Sequence, residues 1–264
     1  MAIVAVGQMN SKPLDITSNL EKMESLVSEA ARGSAELILL PELCLTGYRA
    51  DEAFARLAQP LTGEYTQELS RISKSYGVQI YTSIPEKNED GEKPYNTAVL
   101  VDSSGVVASY SKLHLWANET VYFSPGKKLK MTRTPAGLAG MMICFDVCYS
   151  ETARTYALNG ADLMMYTFAF GNPARKYVFD NMTQARAIEN TCYVLAANMI
   201  GQEKNTIFFG GSCIIDPLGS RIACCGDEEG VVCAPMDLSL LDATRENYPY
   251  LARRRADRYH LEQE

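Results

Sequence analysis

Three side chains with complementary chemistry, Glu42, Lys112 and Cys144, each follow a short apolar or alternating segment of the chain. Such segments predict strands, and in α/β proteins side chains at the carboxyl ends of strands converge on a ligand crevice. There a thiol can act as a nucleophile, while a nearby ammonium lowers the thiol pKa and stabilises an oxyanion. A carboxylate can accept and return a proton. The three residues therefore predict nucleophilic catalysis that requires no histidine.

Each of the three residues also has a purely structural interpretation, because a chain of 264 residues offers many Glu, Lys and Cys side chains. Cys144 is then a small core residue, Lys112 a solvated charge at a strand end, and Glu42 a loop carboxylate. The chain has only two histidines, His114 and His260. Their scarcity disfavours an imidazole zinc site and a Ser/His/Asp or Cys/His scheme. For His114 a structural role is favoured, since Glu42 already supplies a base.

Composition excludes several other classes of protein. With 47% hydrophobic and 22% charged residues, the chain can bury a substantial core. The net charge of −7, from 25 basic and 32 acidic residues, provides no basic field for nucleic acid or anionic lipid. Apolar runs are far shorter than the roughly 20 residues of a membrane helix. An N-terminus that begins as a strand, together with eight unevenly spaced cysteines, predicts a cytoplasmic protein with free thiols.

Hydrophobic periodicity predicts the elements that position the three residues. In the first half we expect a strand over 2–9, a helix between Asp15 as N-cap and Gly33 as C′ residue, a strand over 36–40, a helix over 64–75, and strands over 78–84, 95–101 and 106–111. In the second half we expect a strand ending at 143, helices over 151–158 and 176–189, strands over 163–166 and 192–197, and hairpin strands over 208–215 and 221–225. The turn between the hairpin strands is Asp-Pro-Leu-Gly at 216–219.

The two halves share one order of elements, which predicts an α/β fold with two mixed sheets packed face to face and helices outside. No linker separates the halves, so we expect a single domain over residues 1–264. Residues 242–264 form a polar, Arg-rich tail.

Three segments resemble the signature segments of the nitrilase superfamily of carbon-nitrogen hydrolases: PELCLTGY at 41–48, SKLHL at 111–115 and ICFD at 143–146. They occur in the order of that family, and further similar segments extend to residues 250–255, so the resemblance covers nearly the whole chain. It implies an αββα sandwich in which Glu42 is the general base, Lys112 the oxyanion stabiliser and Cys144 the nucleophile. It also implies a second glutamate, matched here by Glu119, which positions the substrate amide or assists Lys112; otherwise Glu119 is a surface charge.

The same resemblance implies a small-molecule amide substrate, cleaved through a thioester to a carboxylic acid and ammonia without metal or organic cofactor. The oxyanion would be held by Lys112 and the backbone N–H of Phe145. Cys-aromatic-Asp at 144–146 is similar to the amide branch, whereas true nitrilases have Trp-Glu after the nucleophile. The sequence departs from the family pattern at Phe145, Tyr149 and Ser150. Alternatives left open are an N-carbamoyl hydrolase, a nitrilase, and a catalytically silent binding protein, which the intact Glu, Lys and Cys disfavour.

We expect substrate-binding residues at Tyr48, Phe145, Phe168, Ala169 and Arg175, with the loop over 167–176 forming the acyl pocket. Arg175 or its neighbour Lys176 would pair with a substrate carboxylate, unless both are solvated charges at a helix start. Cys148 is either a pocket thiol or a small packing residue. By the resemblance, the tail over 242–264 contacts a partner subunit in a homodimer or a higher homo-oligomer.

Overall fold

The two halves of the chain form two six-stranded sheets. A computed structural model describes residues 1–259, so His260 lies outside the described residues. The strands are β1 Ala2–Gln8, β2 Leu37–Leu39, β3 Gln79–Glu86, β4 Tyr95–Asp102, β5 Gly105–Ser111, β6 Met131–Thr134, β7 Gly137–Ile143, β8 Leu163–Phe168, β9 Tyr193–Asn198, β10 Ile200–Glu203, β11 Thr206–Phe209, β12 Cys213–Ile215, β13 Arg221–Cys224 and β14 Gly230–Met236. The helices are α1 Ile16–Arg32, α2 Phe54–Leu57, α3 Glu64–Tyr76, α4 Glu119–Tyr122, α5 Ser150–Leu158, α6 Lys176–Asn190 and α7 Leu238–Asn247.

The sheets repeat one topology. The first has the order β14-β1-β2-β3-β4-β5, and the second has the order β13-β12-β9-β8-β7-β6. In each, three strands are parallel (β1, β2 and β3; β7, β8 and β9), and the neighbours at both ends run antiparallel. Both sheets are therefore mixed, and the shared order of elements expected from the sequence is confirmed. The edge strand β14 comes from the far end of the chain and closes the first sheet beside β1.

Side chains alternate between the two faces of the first sheet. Val4 and Val6 of β1 pack in the core between the sheets, whereas Ala5 packs with α1 and α3 on the outer face. The hydroxyl of Tyr81 crosses the interface between the sheets, donating to the carbonyl of Met142 at 3.1 Å and accepting from its N–H at 3.0 Å. Helices α5 and α6 cover the outer face of the second sheet. The αββα sandwich is the result.

Local predictions for α1 were right at its start and wrong just after its end. The side chain of Asp15 caps the helix by accepting from the N–H of Ser18, as expected. Gly33 has φ of −79°, so it is not the left-handed C′ residue; the positive φ of 61° lies at Ser34. The N–H of Gly33 instead bonds back to the helix carbonyl of Glu29 at 3.1 Å, so that the turn is completed one residue later.

Two further predictions differ from the structure. The strand expected over 208–215 is divided because Gly210 and Gly211 both have positive φ; residues before them pair with β10 in a separate hairpin, and residues after them form β12. The tail does not begin at residue 242, since residues up to 247 belong to α7. Arg245 of that helix donates to the carbonyl of Ala161 and pairs with Asp162 of the same chain.

All eight cysteines lie in the described part of the chain, and all are free thiols. Among residues 1–259, no helix is long and apolar enough to cross a membrane.

Candidate active site

The site lies where β2, β5 and β7 end. Glu42 lies three residues beyond β2, in a turn whose next residue, Leu43, has φ of +50°. The hydroxyl of Ser83 accepts from the N–H of Leu43 at 2.9 Å, and the hydroxyl of Thr82 donates to the carbonyl of Pro41 at 2.9 Å. Polar residues of the neighbouring strand β3 therefore hold the turn that presents Glu42.

Glu42 is fully buried, and both of its oxygens accept hydrogen bonds. Oε1 accepts from Lys112 Nζ at 2.8 Å and from Asn96 Nδ2 at 2.7 Å. Oε2 accepts from the backbone N–H of Ala169 at 2.9 Å. Burial raises the pKa of Glu42, and the Lys112 ammonium opposes this increase. The carboxylate is thus held rigidly, while Oε2 retains a lone pair that no described residue uses.

Lys112 follows β5 directly and is also fully buried. Its ammonium donates to two carboxylates, Glu42 at 2.8 Å and Glu119 Oε1 at 2.7 Å. Burial lowers the pKa of Lys112, but the carboxylates of Glu119 and Glu42 raise it by more, so the net shift is upward. The side chain is therefore a charged ammonium at neutral pH, and it has a third N–H to offer.

Glu119 is buried at the start of α4 and binds three donors. Oε1 accepts from Lys112 and also from the hydroxyl of Tyr48 at 2.8 Å, and Oε2 accepts from the backbone N–H of Trp116 at 2.7 Å. The surface-charge interpretation of Glu119 does not hold, because its carboxylate faces inward and binds Lys112.

Cys144 follows β7 and begins a short 3-10 turn, Cys144–Cys148, with φ of +41°. A positive φ is strained for a residue with a side chain, and such strain is concentrated at functional sites. The pKa of its thiol is raised by burial and by the charge of Glu42, and Lys112 only partly offsets both. The ammonium lowers the thiol pKa as expected, but burial and the charges of Glu42 and Glu119 raise that pKa by more, so the net shift is upward. At rest, Cys144 carries its proton.

The turn after Cys144 is fixed by Asp146, which is fully buried. Its Oδ2 accepts from the N–H of Ile143 at 3.0 Å and from the hydroxyl of Tyr110 at 2.8 Å. Its Oδ1 lies 2.7 Å from Nδ1 of His114, whose ring stacks on Tyr149 at 3.6 Å. His114 therefore supports the cysteine turn through Asp146, in agreement with the structural role expected for it.

A cleft of about 550 Å³ opens over these residues. Cys144 and Glu119 lie in its wall, and four of the five expected substrate-binding residues line it, namely Tyr48, Phe145, Ala169 and Arg175. Phe168 does not; its side chain is fully buried and stacks on Tyr166. Phe168 is the last residue of β8, and its side chain lies in the hydrophobic core. Phe170, two residues later, lines the cleft instead.

Arg175 lies at the mouth of the cleft. Its guanidinium carbon lies 5.0 Å from the ring centroid of Trp116 and 5.5 Å from that of Phe170. It forms no ion pair with a carboxylate within residues 1–259. Lys176 is different, since its ammonium pairs with Asp180 at 2.9 Å. Cys148 lines the cleft as well, so the pocket-thiol interpretation of that residue agrees with its position.

Sequence reasoning missed Asn96 and Trp116. Asn96 binds Glu42, and the signal for it was an amide side chain near the start of strand β4, just ahead of that strand's apolar run over 98–101. Trp116 is the single tryptophan of the chain. Its ring packs edge-on against Phe145 with the centroids 4.8 Å apart, and its backbone N–H donates to Glu119. No cluster of three or more His, Cys, Asp or Glu residues in the described chain could hold a metal ion.

Comparison with known proteins agrees with this arrangement. The family model for carbon-nitrogen hydrolases matches residues 3–246. The chain is 36% identical over 254 residues to a probable nitrilase of Schizosaccharomyces pombe, covering 94% of this chain and 93% of that protein. It is 34% identical over 268 residues to the omega-amidase NIT2 of Danio rerio, covering 97% and 95%.

A solved structure of an amidase from Nesterenkonia AN1, of the nitrilase superfamily, has a cysteine replaced by alanine. It matches this chain with a TM-score of 0.84 and 28% identity over 97% of this chain and 95% of that one. Another structure of the Nesterenkonia amidase carries the acetamide moiety of fluoroacetamide on its active-site cysteine. From the family match over most of its length and from these relatives, we conclude that the chain belongs to the carbon-nitrogen hydrolase family, within the nitrilase superfamily.

Proposed function

We propose that this hydrolase is a cysteine-dependent amidase that converts a small amide to a carboxylic acid and ammonia through a thioester. The observation that supports it best is the buried Lys112 ammonium, held between the carboxylates of Glu42 and Glu119 beside the strained Cys144 turn. A base, a fixed cation and a nucleophile in one buried site are the elements that acyl transfer needs.

In the first step, Glu42 takes the proton of the Cys144 thiol as the sulfur attacks the amide carbonyl carbon. Because the thiol is protonated at rest, this transfer must accompany the attack rather than precede it. The oxyanion is stabilised by the third N–H of Lys112 and by the backbone N–H of Phe145. The C–N bond then breaks, Glu42 returns the proton to the leaving nitrogen, and ammonia departs.

In the second step, water attacks the thioester carbonyl, and Glu42 again accepts a proton. The C–S bond breaks, Cys144 recovers its thiol proton from Glu42, and the carboxylic acid is released. Glu42 serves in both directions because its raised pKa brings it closer to neutrality than an exposed carboxylate. Glu119 keeps the Lys112 ammonium in position and offers an acceptor to the substrate amide N–H.

For the substrate, we propose a small amide whose acyl chain ends in a carboxylate. Arg175 supports this proposal, since its guanidinium borders the cleft on two aromatic rings and has no carboxylate partner within the described chain. A guanidinium binds a carboxylate through two parallel hydrogen bonds, which would set the orientation of the substrate's acyl chain. The name of the Danio rerio relative, omega-amidase, agrees with such a substrate.

The proposal is tested by ammonia release from the purified protein, with Cys144→Ala as control. The substrates are short neutral amides, ω-amides of dicarboxylic acids, N-carbamoyl amino acids and a nitrile. We expect amide hydrolysis that is lost in the variant. Higher activity on the N-carbamoyl compounds or on the nitrile would assign the chain to one of those alternatives. Activity on no substrate, with Cys144 inert to iodoacetamide, would identify a silent binding protein.

The substrate class is tested with Arg175→Gln against its neighbour Lys176→Gln. We expect Arg175→Gln to lower kcat/KM for the ω-amides by about 10- to 100-fold, the loss of one or two charge-assisted hydrogen bonds, and to leave neutral amides unchanged. Lys176→Gln should change neither, because its ammonium already pairs with Asp180. An equal loss on charged and neutral amides in Arg175→Gln would refute the carboxylate-binding role.

We further propose that the segment after α7 contacts a partner subunit in a homodimer. Tyr248, Tyr250 and Tyr259 of this segment are 47%, 47% and 64% exposed, and together they form a large exposed aromatic surface. Light scattering of the full chain and of Tyr250→Ser tests the proposal. We expect a dimer weakened by the substitution; a monomeric full chain would refute it.

A further inference from the structure

Two cysteines far from Cys144 lie directly opposite each other in the second sheet. Cys213 of β12 pairs with Cys224 of β13 in antiparallel register. The N–H of Cys225 donates to the carbonyl of Ser212 at 2.8 Å, so residues 212 and 225 face each other as a hydrogen-bonded pair. Because hydrogen-bonded and non-hydrogen-bonded pairs alternate along antiparallel strands, Cys213 and Cys224 form a non-hydrogen-bonded pair.

This register gives the two cysteines the Cα separation that a disulfide spans. In a non-hydrogen-bonded antiparallel pair the Cα atoms lie about 4.5 Å apart, and both side chains point to the same face of the sheet. A disulfide requires a Cα separation of about 4.4–6.8 Å. The backbone of β12 and β13 therefore already has the separation that a bond between Cys213 and Cys224 needs.

The two thiols differ in access and in acidity. Cys213 is fully buried, whereas Cys224 is exposed. The neighbouring Cys213 thiol lowers the pKa of Cys224 to about 6; burial opposes this decrease, and the nearby Arg221 guanidinium adds to it. Cys224 is thus a thiolate at neutral pH that a dissolved oxidant can reach, and Cys213 is a thiol held next to it.

Other cysteines of the chain lack this combination. Burial raises the pKa of Cys225 and of Cys44 to about 12, and that of Cys192 to about 11. These thiols stay protonated at neutral pH and react slowly with oxidants. Neither Cys213 nor Cys224 lines the cleft over Cys144, so their chemistry is separate from amide hydrolysis.

We propose that Cys213 and Cys224 form a reversible dithiol–disulfide site that is oxidised by hydrogen peroxide. The Cys224 thiolate attacks one peroxide oxygen, and the O–O bond breaks to leave a sulfenic acid and hydroxide. The hydroxide takes from solvent the proton that Cys224 released on ionising and departs as water. The Cys213 sulfur then attacks the Cys224 sulfur and loses its proton as a second water leaves. Two thiols are oxidised to one disulfide, and one peroxide is reduced to two waters. A small dithiol reverses the step by exchange.

The site is tested by peptide mapping of the full chain after treatment with hydrogen peroxide and blocking of the remaining thiols. Trypsin places Cys213 on peptide 205–221 and Cys224 on peptide 222–245. We expect these two peptides to be covalently linked after oxidation, to lose two hydrogens together, and to separate after dithiothreitol treatment. Peptides that remain unlinked would refute the proposal.

Variants identify the bonded pair. Cys224→Ser, a change at an exposed position, should abolish the link, and Cys225→Ser, its neighbour on the same peptide, should preserve it. A link that survives Cys224→Ser but not Cys225→Ser would overturn the assignment. In Cys213→Ser the sulfenic acid of Cys224 has no thiol to attack it, and dimedone should label it.

The order of reaction is tested separately by the pH dependence of iodoacetamide alkylation. For Cys224 in the full chain we expect a midpoint near pH 6 that moves upward in Cys213→Ser. A midpoint near the ordinary thiol value of about 8.5 would remove Cys224 as the attacking thiolate.

Discussion

Glu119→Gln tests whether the second carboxylate holds the Lys112 ammonium in place for the proposed reaction. The wild-type carboxylate accepts from Lys112 Nζ at 2.7 Å, from the Tyr48 hydroxyl at 2.8 Å and from the Trp116 N–H at 2.7 Å. A glutamine has one carbonyl oxygen and one NH₂ group. With the oxygen toward Lys112, the NH₂ group faces the N–H of Trp116; in the flipped orientation it faces the ammonium. Either orientation sets two buried donors against each other.

The expected cost follows from that mismatch. A buried donor left without its acceptor costs about 1–3 kcal/mol, and the ammonium also loses one of its two compensating charges. When this mismatch displaces the Lys112 ammonium, transition-state stabilisation is lost by a similar amount. We therefore expect kcat/KM to decrease by about 10- to 100-fold, since about 1.4 kcal/mol corresponds to a factor of ten. Removing the charge also lowers the pKa of the Cys144 thiol, which Glu119 raises in the wild type. That effect shifts the pH profile of kcat/KM toward acid.

The assay is ammonia release, with kcat and KM measured from pH 5 to 9 on an amide that the wild type hydrolyses. Glu86→Gln is the matched control, because the carboxylate of Glu86 is half-buried and accepts from Thr97 at 2.6 Å, outside the cleft. Thermal unfolding of both variants separates folding from catalysis. An unchanged kcat/KM and pH profile in folded Glu119→Gln would refute the role assigned to this carboxylate.

Three other variants test the contacts that hold the turns of the site in place and the titration of a buried carboxyl. Asp146→Asn places an NH₂ group against donors that the buried carboxylate now binds, so we expect a loss of about 1–3 kcal/mol in the free energy of unfolding and a lower kcat; denaturant unfolding at wild-type stability would contradict this. Gly126→Ala brings a Cβ to 2.0 Å from the carbonyl oxygen of Ser111, just before Lys112, so unfolding temperature and kcat should both fall, whereas Gly230→Ala, which meets nothing within 4 Å, should change neither. Burial raises the pKa of Glu203 to about 7, so its contribution to stability is present below the ordinary carboxyl pKa and is lost as pH rises toward 7. Glu203→Gln should therefore gain stability relative to wild type between pH 5 and 8 in thermal unfolding, and a pH-independent difference would show that this carboxyl does not titrate there.

Most elements of the fold could be predicted from short-range patterns. Apolar alternation marks β3 and β4, helical spacing marks α1, and an Asp one residue before that helix caps it. These features depend on neighbours within one or two turns of the chain. Predictions failed where a choice depended on backbone dihedrals in a loop, as when Ser34 rather than Gly33 took the positive φ, or when two glycines divided an expected strand.

By itself, the sequence determined the types and order of Glu42, Lys112 and Cys144, because each of them follows a segment whose pattern identifies a strand. Only the tertiary structure decided how those side chains act on one another. Lys112 is charged, Cys144 is protonated and Glu119 faces inward because three elements bring one ammonium and two carboxylates together in a buried volume. Such electrostatic sums depend on distances between groups up to 102 residues apart in the chain, and no local pattern encodes those distances.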